Sequence, residues 1–337
     1  MIAMDRAESS PSTPALAPEL LLTLYRQMQL IRVVELRIAE LYPEQDMRCP
    51  VHLSVGQEAA EAGACVALES RDYVMSGHRS HGHYLGKGGD LKRMMAEIYG
   101  KATGCAGGVG GSMHLIDLEA GFLGAAPIVG STIPIAVGSA FASKLRGDDS
   151  VTMLFLGDGA TECGVFHESL NFAKLHELPV VFLCENNFFS VYSPMEVRQP
   201  KDRAIMALAE AHNIESHLGD GNDVVQSYQL AKRAVDKARA GQGPSFIELT
   251  TYRWLEHCGP NYDNDIGYRT EEEYQAWRAK EPVARYEAEL IAWGVATRDQ
   301  LDAITAEIAA DMEEAVTFAK TSPFPPAAAM AQHVYAP

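Results

Sequence analysis

The chain has 337 residues, 47% of them hydrophobic and 22% charged, which is enough length and apolar content for one large domain or two ordinary ones. Lys and Arg number 28 against 45 Asp and Glu, so the formal charge is −17. That excludes a protein that coats nucleic acid or an anionic membrane surface, and any phosphate it binds must be held by a local pocket.

Residues 1–18 mix Asp5, Glu8, Ser and Pro without an apolar signal core, and read as a flexible N-terminal arm on a soluble, cytoplasmic protein. No apolar run is long enough to span a bilayer. Apolar residues recur at helical spacing over 20–41 (Leu24, Met28, Ile31, Leu36), and an Ala-rich stretch predicts a second helix over 57–68. Residues 76–89 and 101–114 are rich in Gly and His, as loops are where backbone must approach something closely. Residues 151–156 and 180–184 are short continuous apolar runs of the kind a strand buried on both faces requires. Between them lie Gly157-Asp158-Gly159, a helical stretch over 162–176 and Pro179, and Glu185-Asn186-Asn187 follows the second run. Strand, turn, helix, strand is a βαβ crossover and implies a parallel sheet. A helix over 223–240, a strand over 246–249 and a helical stretch over 270–320 complete the pattern. With no composition break, residues 19–337 read as a single α/β domain with helices on both faces of a parallel sheet and a helical C-terminal extension. The six cysteines lack any Cys-x-x-Cys pair, so they read mostly as buried thiols, without a zinc site or a disulfide framework.

The chemistry is expected at the ends of the two apolar strands, because ligands of open parallel sheets sit outside the strands' carboxyl ends. Asp158 and Asn187 both fall there and offer hard oxygen ligands to a cation such as Mg²⁺. The amides of Gly159 and Ala160, at the start of the next helix, suit an anion. A metal beside amides describes a diphosphate site. Taken singly, Gly-Asp-Gly and Asn-Asn are equally ordinary turns.

Asp158 and Asn187, 29 positions apart with a βαβ pattern filling the gap, resemble the motif of thiamine diphosphate enzymes. His52-Leu53-Ser54-Val55-Gly56-Gln57-Glu58-Ala59, His78-Arg79-Ser80-His81-Gly82, Gly110-Gly111-Ser112-Met113-His114, Ile128-Val129-Gly130-Ser131-Thr132-Ile133-Pro134, Thr251-Tyr252-Arg253 with His257, and Tyr268-Arg269-Thr270 narrow the family. In order and spacing they resemble the α subunit of the heterotetrameric decarboxylase of 2-oxo acid dehydrogenase complexes, of the pyruvate, branched-chain and acetoin type. The resemblance runs from about residue 20 to 283.

It implies a fold that binds thiamine diphosphate, with Mg²⁺ held by Asp158, Asn187 and the backbone carbonyl of Phe189. It places Arg79 and His78 on the diphosphate, where many members have Tyr in place of His78. Val129 would pack against the cofactor rings, and His257 would stand beside the diphosphate at the mouth of the site. His52, His81 and His257 are expected to line the active site as proton donors or positioning groups. His114 suits either that role or the shaping of its own loop. His83, His167, His176, His212 and His217 read as surface or capping residues.

The family also implies that the glutamate activating the cofactor comes from a β subunit with a pyrimidine-binding domain. The expected assembly is an α2β2 heterotetramer, with a lipoyl acyltransferase as a further partner. Two loops depart from the pattern. Cys258 to Asp265 lacks the serine of the pyruvate enzymes' phosphorylation loop, so kinase regulation is not expected there, and Phe188 to Pro194 also differs. These loops leave the oxo acid and the acceptor open. Passing the acyl unit to a lipoyl carrier leads, ahead of carboligation to an aldehyde and of a non-catalytic scaffold.

Overall fold

The structure, a computed structural model, describes residues 14–201 and 203–331. Most of the expected arm therefore lies outside the described residues, and its last residue, Pro18, opens the first helix. Helix α1 (Pro18–Leu41) has Pro at a position where no intrahelical N–H is needed. It buries Leu21, Leu24, Met28, Ile31 and Val34. Helix α2 (Glu58–Val66) is small-sided and buried, which lets neighbouring helices approach closely.

The sheet is six-stranded and wholly parallel: β1 (Tyr73–Ser76), β2 (Phe122–Ala125), β3 (Thr152–Gly157), β4 (Val180–Asn186), β5 (Glu215–Asp220) and β6 (Ser245–Thr250), in the order β2-β1-β3-β4-β6-β5. All seven residues of β4 are buried, as its apolar run requires. The register sets Gly157 beside Glu185 and Asn186 beside Thr250, so the turns that leave β3, β4 and β6 open on the same edge. Connections depart in opposite directions from β1 and β3, which makes the carboxyl edge between them the crevice of a doubly wound sheet.

Helices cover both faces. One core packs Phe155, Leu183 and Ile247 with α1, α2 and α3 (His81–Gly86) on one side. The other packs Leu154, Phe182 and Phe246 against α5 (Thr132–Arg146) and α6 (Gly164–Leu175). Helix α4 (Leu91–Ile98) follows α3, and α7 (Val224–Arg239) lies against α2. The C-terminal part divides into α8 (Glu271–Arg278), α9 (Pro282–Ala292) and α10 (Arg298–Thr321). Thr297 and Gln300 form a capping box at the start of α10. No helix among the described residues is long and apolar enough to cross a membrane.

Three expectations are corrected. Residues 81–86, read as loop, are a short helix, because Ser80 to Gly86 close backbone bonds despite their glycines. The helix expected over 162–176 is α6 (Gly164–Leu175), but Gly159 and Ala160 do not stand at its start: they lie in a separate 3-10 turn (Asp158–Glu162) ahead of it. The cysteines are free, but only Cys65, Cys105 and Cys184 are buried, while Cys49 and Cys163 are half-buried and Cys258 is exposed.

Candidate active site

One cavity opens on the carboxyl edge of the sheet. It is lined by the turn after β1 (Gly77, His78, Arg79), the turn after β2 (Pro127 to Gly130), the turn after β3 (Gly157 to Ala160) and Asn187 beyond β4. His52, Gln57, Met113 and His257 close it from other elements. Of the expected site residues, His52, His78, Arg79, Val129, Asp158, Gly159, Ala160, Asn187, Phe189 and His257 all line it.

His81 does not. Its ring is fully buried behind the cavity, with Nδ1 3.2 Å from Glu35 Oε2 and Nε2 2.7 Å from Ser112 Oγ. The expectation that His81 lines the active site is corrected: both ring nitrogens are consumed in tying α1 to the Gly-Gly-Ser loop. His83 is corrected in the opposite sense. Read as a surface residue, it is buried, stacks on Phe155 at 3.8 Å and lines the cavity floor.

Arg79 is the cavity's fixed cation. Its Nη1 donates to the Leu53 carbonyl at 2.5 Å and its Nη2 to the His257 carbonyl at 3.1 Å, which aims the guanidinium and orders the loop carrying His257. Burial, then Arg253, lowers its pKa to about 10, so it stays charged at neutral pH. That loop is braced further by Arg253, which donates to the Leu255 carbonyl at 2.6 Å and the Val191 carbonyl at 2.9 Å. Arg269 pairs with Asp263, and Gly259 N donates to the Val51 carbonyl at 2.9 Å. Gly56, with φ +101°, sits where a side chain would collide with the Tyr252 carbonyl and the Trp254 ring.

His52, His78 and His257 face one another, with ring centroids 4.6 Å (His52–His78), 4.9 Å (His52–His257) and 5.3 Å (His78–His257) apart. Burial first, then the Arg79 charge, drives their pKa values down, to about 2 for His52, 4 for His78 and 3 for His257. All three are therefore neutral at pH 7, and His52 Nδ1 is buried without a partner. An entering anion would supply the charge that the imidazoles lack and let them donate to it.

Opposite this cluster, Asp158 is buried and ion-paired with Arg198, which also pairs with Glu162. Burial raises the Asp158 pKa, and Arg198 opposes the rise. Arg198 ends a helical turn (Met195–Arg198) that follows Phe188 and Val191, both at positive φ (69° and 56°). Asn187 Nδ2 donates to Gln57 Oε1 at 3.0 Å, and its Oδ1 accepts from Phe189 N at 3.2 Å while keeping a free lone pair. At the β3 turn a Cβ on Gly159 would come within 2.7 Å of Ser190 Oγ. The donor set fits a hard cation bound with a diphosphate: Asp158 is a buried carboxylate that takes a positive partner, here Arg198, and Asn187 offers a neutral oxygen.

Gln57, His83, Glu185 and Arg198 were missed as site residues by sequence reasoning. Gln57 and Glu185 stood inside quoted motifs, and their position beside the strand ends was the usable signal. His83 and Arg198 carried none.

A doubly wound sheet whose carboxyl-edge cavity gathers a buried aspartate, an asparagine, an arginine and three imidazoles has the place and the polar groups of an anionic-cofactor site. Residues 26–328 match the model of the dehydrogenase E1 component family, and the chain belongs to that family, as a thiamine diphosphate-dependent 2-oxo acid dehydrogenase α subunit. Its relatives include the α subunit of acetoin:2,6-dichlorophenolindophenol oxidoreductase of Bacillus subtilis, 39% identical over 323 residues and covering 95% of each chain. The pyruvate dehydrogenase E1 component subunit α of Porphyra purpurea is 38% identical over 94% of this chain and 93% of its own. The testis-specific mitochondrial form from Rattus norvegicus is 33% identical over 97% of this chain and 82% of its own.

Proposed function

We propose that this chain is the diphosphate-binding half of a two-chain enzyme that decarboxylates a 2-oxo acid, or cleaves an acetoin-like ketol, and hands the acyl unit to a lipoyl carrier. The observation that carries the reading is the convergence of Asp158, Asn187 and Arg79 on one crevice, with a guanidinium standing where a metal would neutralise Asp158. Asp158 and Asn187, with the backbone carbonyl of Phe189, would hold Mg²⁺. Arg79 would bind the diphosphate through planar donors, joined by His78, His257 and the amides of Gly159 and Ala160. Val129, on the rim and half-exposed, would pack against the cofactor rings. Bound thiamine diphosphate would act as an electron sink for the carbanion left by decarboxylation.

His52 and His257 face the channel as neutral imidazoles, suited to take up or release a proton at a substrate carboxylate or carbonyl oxygen. Burial beside Arg79 keeps them uncharged until a negative charge arrives, so their basicity is tied to occupancy of the site. The β subunit would bring the glutamate that activates the cofactor, in an α2β2 assembly serving a lipoyl acyltransferase. The rim supports a partner there: Ile128 is 72% exposed and Val129 51%, directly over the cavity. The reading also takes residues 19–337 as one domain, since the six-stranded sheet is packed on both faces, and places the enzyme in the cytoplasm, a location that cell fractionation would test.

Calorimetry on Asp158→Ala provides the test. Loss of Mg²⁺-dependent thiamine diphosphate binding is expected, with Asn187→Ala weakened less because it loses a neutral ligand. Unchanged affinity in Asp158→Ala would overturn the assignment.

A further inference from the structure

The floor of the cavity carries a second cluster. Glu61 from α2, His83 from α3 and Glu185 from the end of β4 converge there, all buried, with one donor atom from each within 4.8 Å of the others. His83 Nε2 lies 3.1 Å from Glu185 Oε2 and 3.7 Å from Glu61 Oε1. Even so, His83 Nε2, Glu61 Oε1 and Glu185 Oε1 have no hydrogen-bond partner. Arg79 is near enough to feel both carboxylates, but its outer nitrogens donate to the Leu53 and His257 carbonyls instead. Burial, then Glu185, Glu35 and Glu58, pushes the Glu61 carboxyl well above its ordinary range, a measure of how unfavourable the bare cluster is.

Two buried carboxylates around one imidazole nitrogen can be neutralised by a proton or by a cation. A shared proton needs donor and acceptor in line at about 2.7–3.2 Å. The 3.7 Å edge is too long for that, and the 3.1 Å edge, though short enough, is not aligned as a hydrogen bond. Donors around a tetrahedral ion with bonds of about 2.0–2.2 Å lie about 3.3–3.6 Å apart, close to both edges. The far sides of two of the three side chains, His83 and Glu61, are already anchored as metal ligands require. His83 Nδ1 is 2.8 Å from Ser76 Oγ, and in the tautomer that donates from Nδ1 to this hydroxyl the Nε2 lone pair faces the cluster. Ser54 Oγ lies 3.0 Å from both Glu61 Oε2 and Glu35 Oε1, which holds Glu61 Oε2 on that side and leaves Oε1 inward. The absence of a Cβ at Gly82 lets α3 pass against the Glu61 carboxylate.

We propose that Glu61, His83 and Glu185 form a site for a divalent transition-metal ion of the Zn²⁺ type, distinct from the hard-cation site at Asp158. One nitrogen and two carboxylate oxygens with an open fourth position suit that ion. It would pin α2, α3 and β4 together and place positive charge under the anion-binding cavity.

The test uses the full chain with its β partner, free of thiamine diphosphate and in excess Mg²⁺, titrated with Co²⁺ as a spectroscopic stand-in. Wild type should develop a saturable visible spectrum of low-coordinate Co²⁺ that Zn²⁺ abolishes. The spectrum should vanish in Glu61→Gln and in His83→Phe, which keeps a ring on Phe155, and persist in Asp158→Ala. That last variant separates this site from the proposed cofactor site, so either can fail alone. No Co²⁺ spectrum in the wild type, with an infrared band for a protonated Glu61, would overturn the proposal. So would a spectrum that survives His83→Phe, because the ion would then sit on His52, His78 and His257.

Discussion

Glu97 and Gly110 are joined by a 2.7 Å hydrogen bond from the glycine N–H to the buried carboxylate. The same oxygen takes Gly111 N at 3.0 Å, and the other takes Ala106 N and Gly108 N, each at 2.8 Å. One side chain thus gathers four amides of the Gly-rich loop that delivers Ser112 to His81 and Met113 to the cavity. Glu97→Gln would turn an NH2 group toward two of those donors. Urea unfolding should show a loss of roughly 3 kcal/mol, from about 1–3 kcal/mol for each buried donor left unpaired.

Arg198 competes for the carboxylate that Mg²⁺ would need. Arg198→Gln should tighten Mg²⁺-dependent binding of thiamine diphosphate about tenfold, the equivalent of about 1.4 kcal/mol of displaced ion pairing. The same variant should be less stable without ligand. Isothermal titration settles the sign, and weaker binding would mean that Arg198 touches the ligand itself.

His257 and His81 should separate cleanly. His257→Ala in the assembled enzyme, at saturating cofactor, should lose ~10²–10⁴-fold in turnover with little change in melting temperature. His81→Ala leaves Glu35 and Ser112 without their shared partner, so it should lower stability by roughly 2 kcal/mol or more. Its turnover per folded molecule should stay near wild type. Turnover and melting measured on the same preparations decide between the two roles.

Acid should weaken the ligand-free chain through its imidazole cluster. Unfolded histidines take up protons near pH 6.5, whereas His78, His257 and His52 resist until about 4, 3 and 2. Below pH 6.5 the unfolded state therefore binds more protons, and stability falls as pH falls towards those values. Denaturation midpoints from pH 7.5 to 5 should show a steeper decline for wild type than for His78→Tyr, which carries one fewer depressed imidazole.

The sheet's centre was legible and its edges were not. β3, β4 and β6 are buried on both faces and announce themselves as apolar runs. β5, Glu215 to Asp220, pairs on one side only and tolerates Glu, His and Asp, so no period marks it. β1 and β2 are four residues each, and β2 contains Gly124. In the cavity, Asp158, Asn187, Arg79 and His257 lay in contiguous motifs, because turns at a sheet edge are local in sequence. The pairing of His81 with Glu35, 46 residues away, is made only by packing α1 beside α3. His83 sits two residues from His81, yet one faces the cavity and the other the protein interior, a difference set by the turn of a short helix.

The exposed apolar rim at Ile128 and Val129 has a consequence for how the chain is made. A chain made in surplus over its partner would present this rim to other surplus copies. Matched production of the two polypeptides would shorten the time for which it stands uncovered.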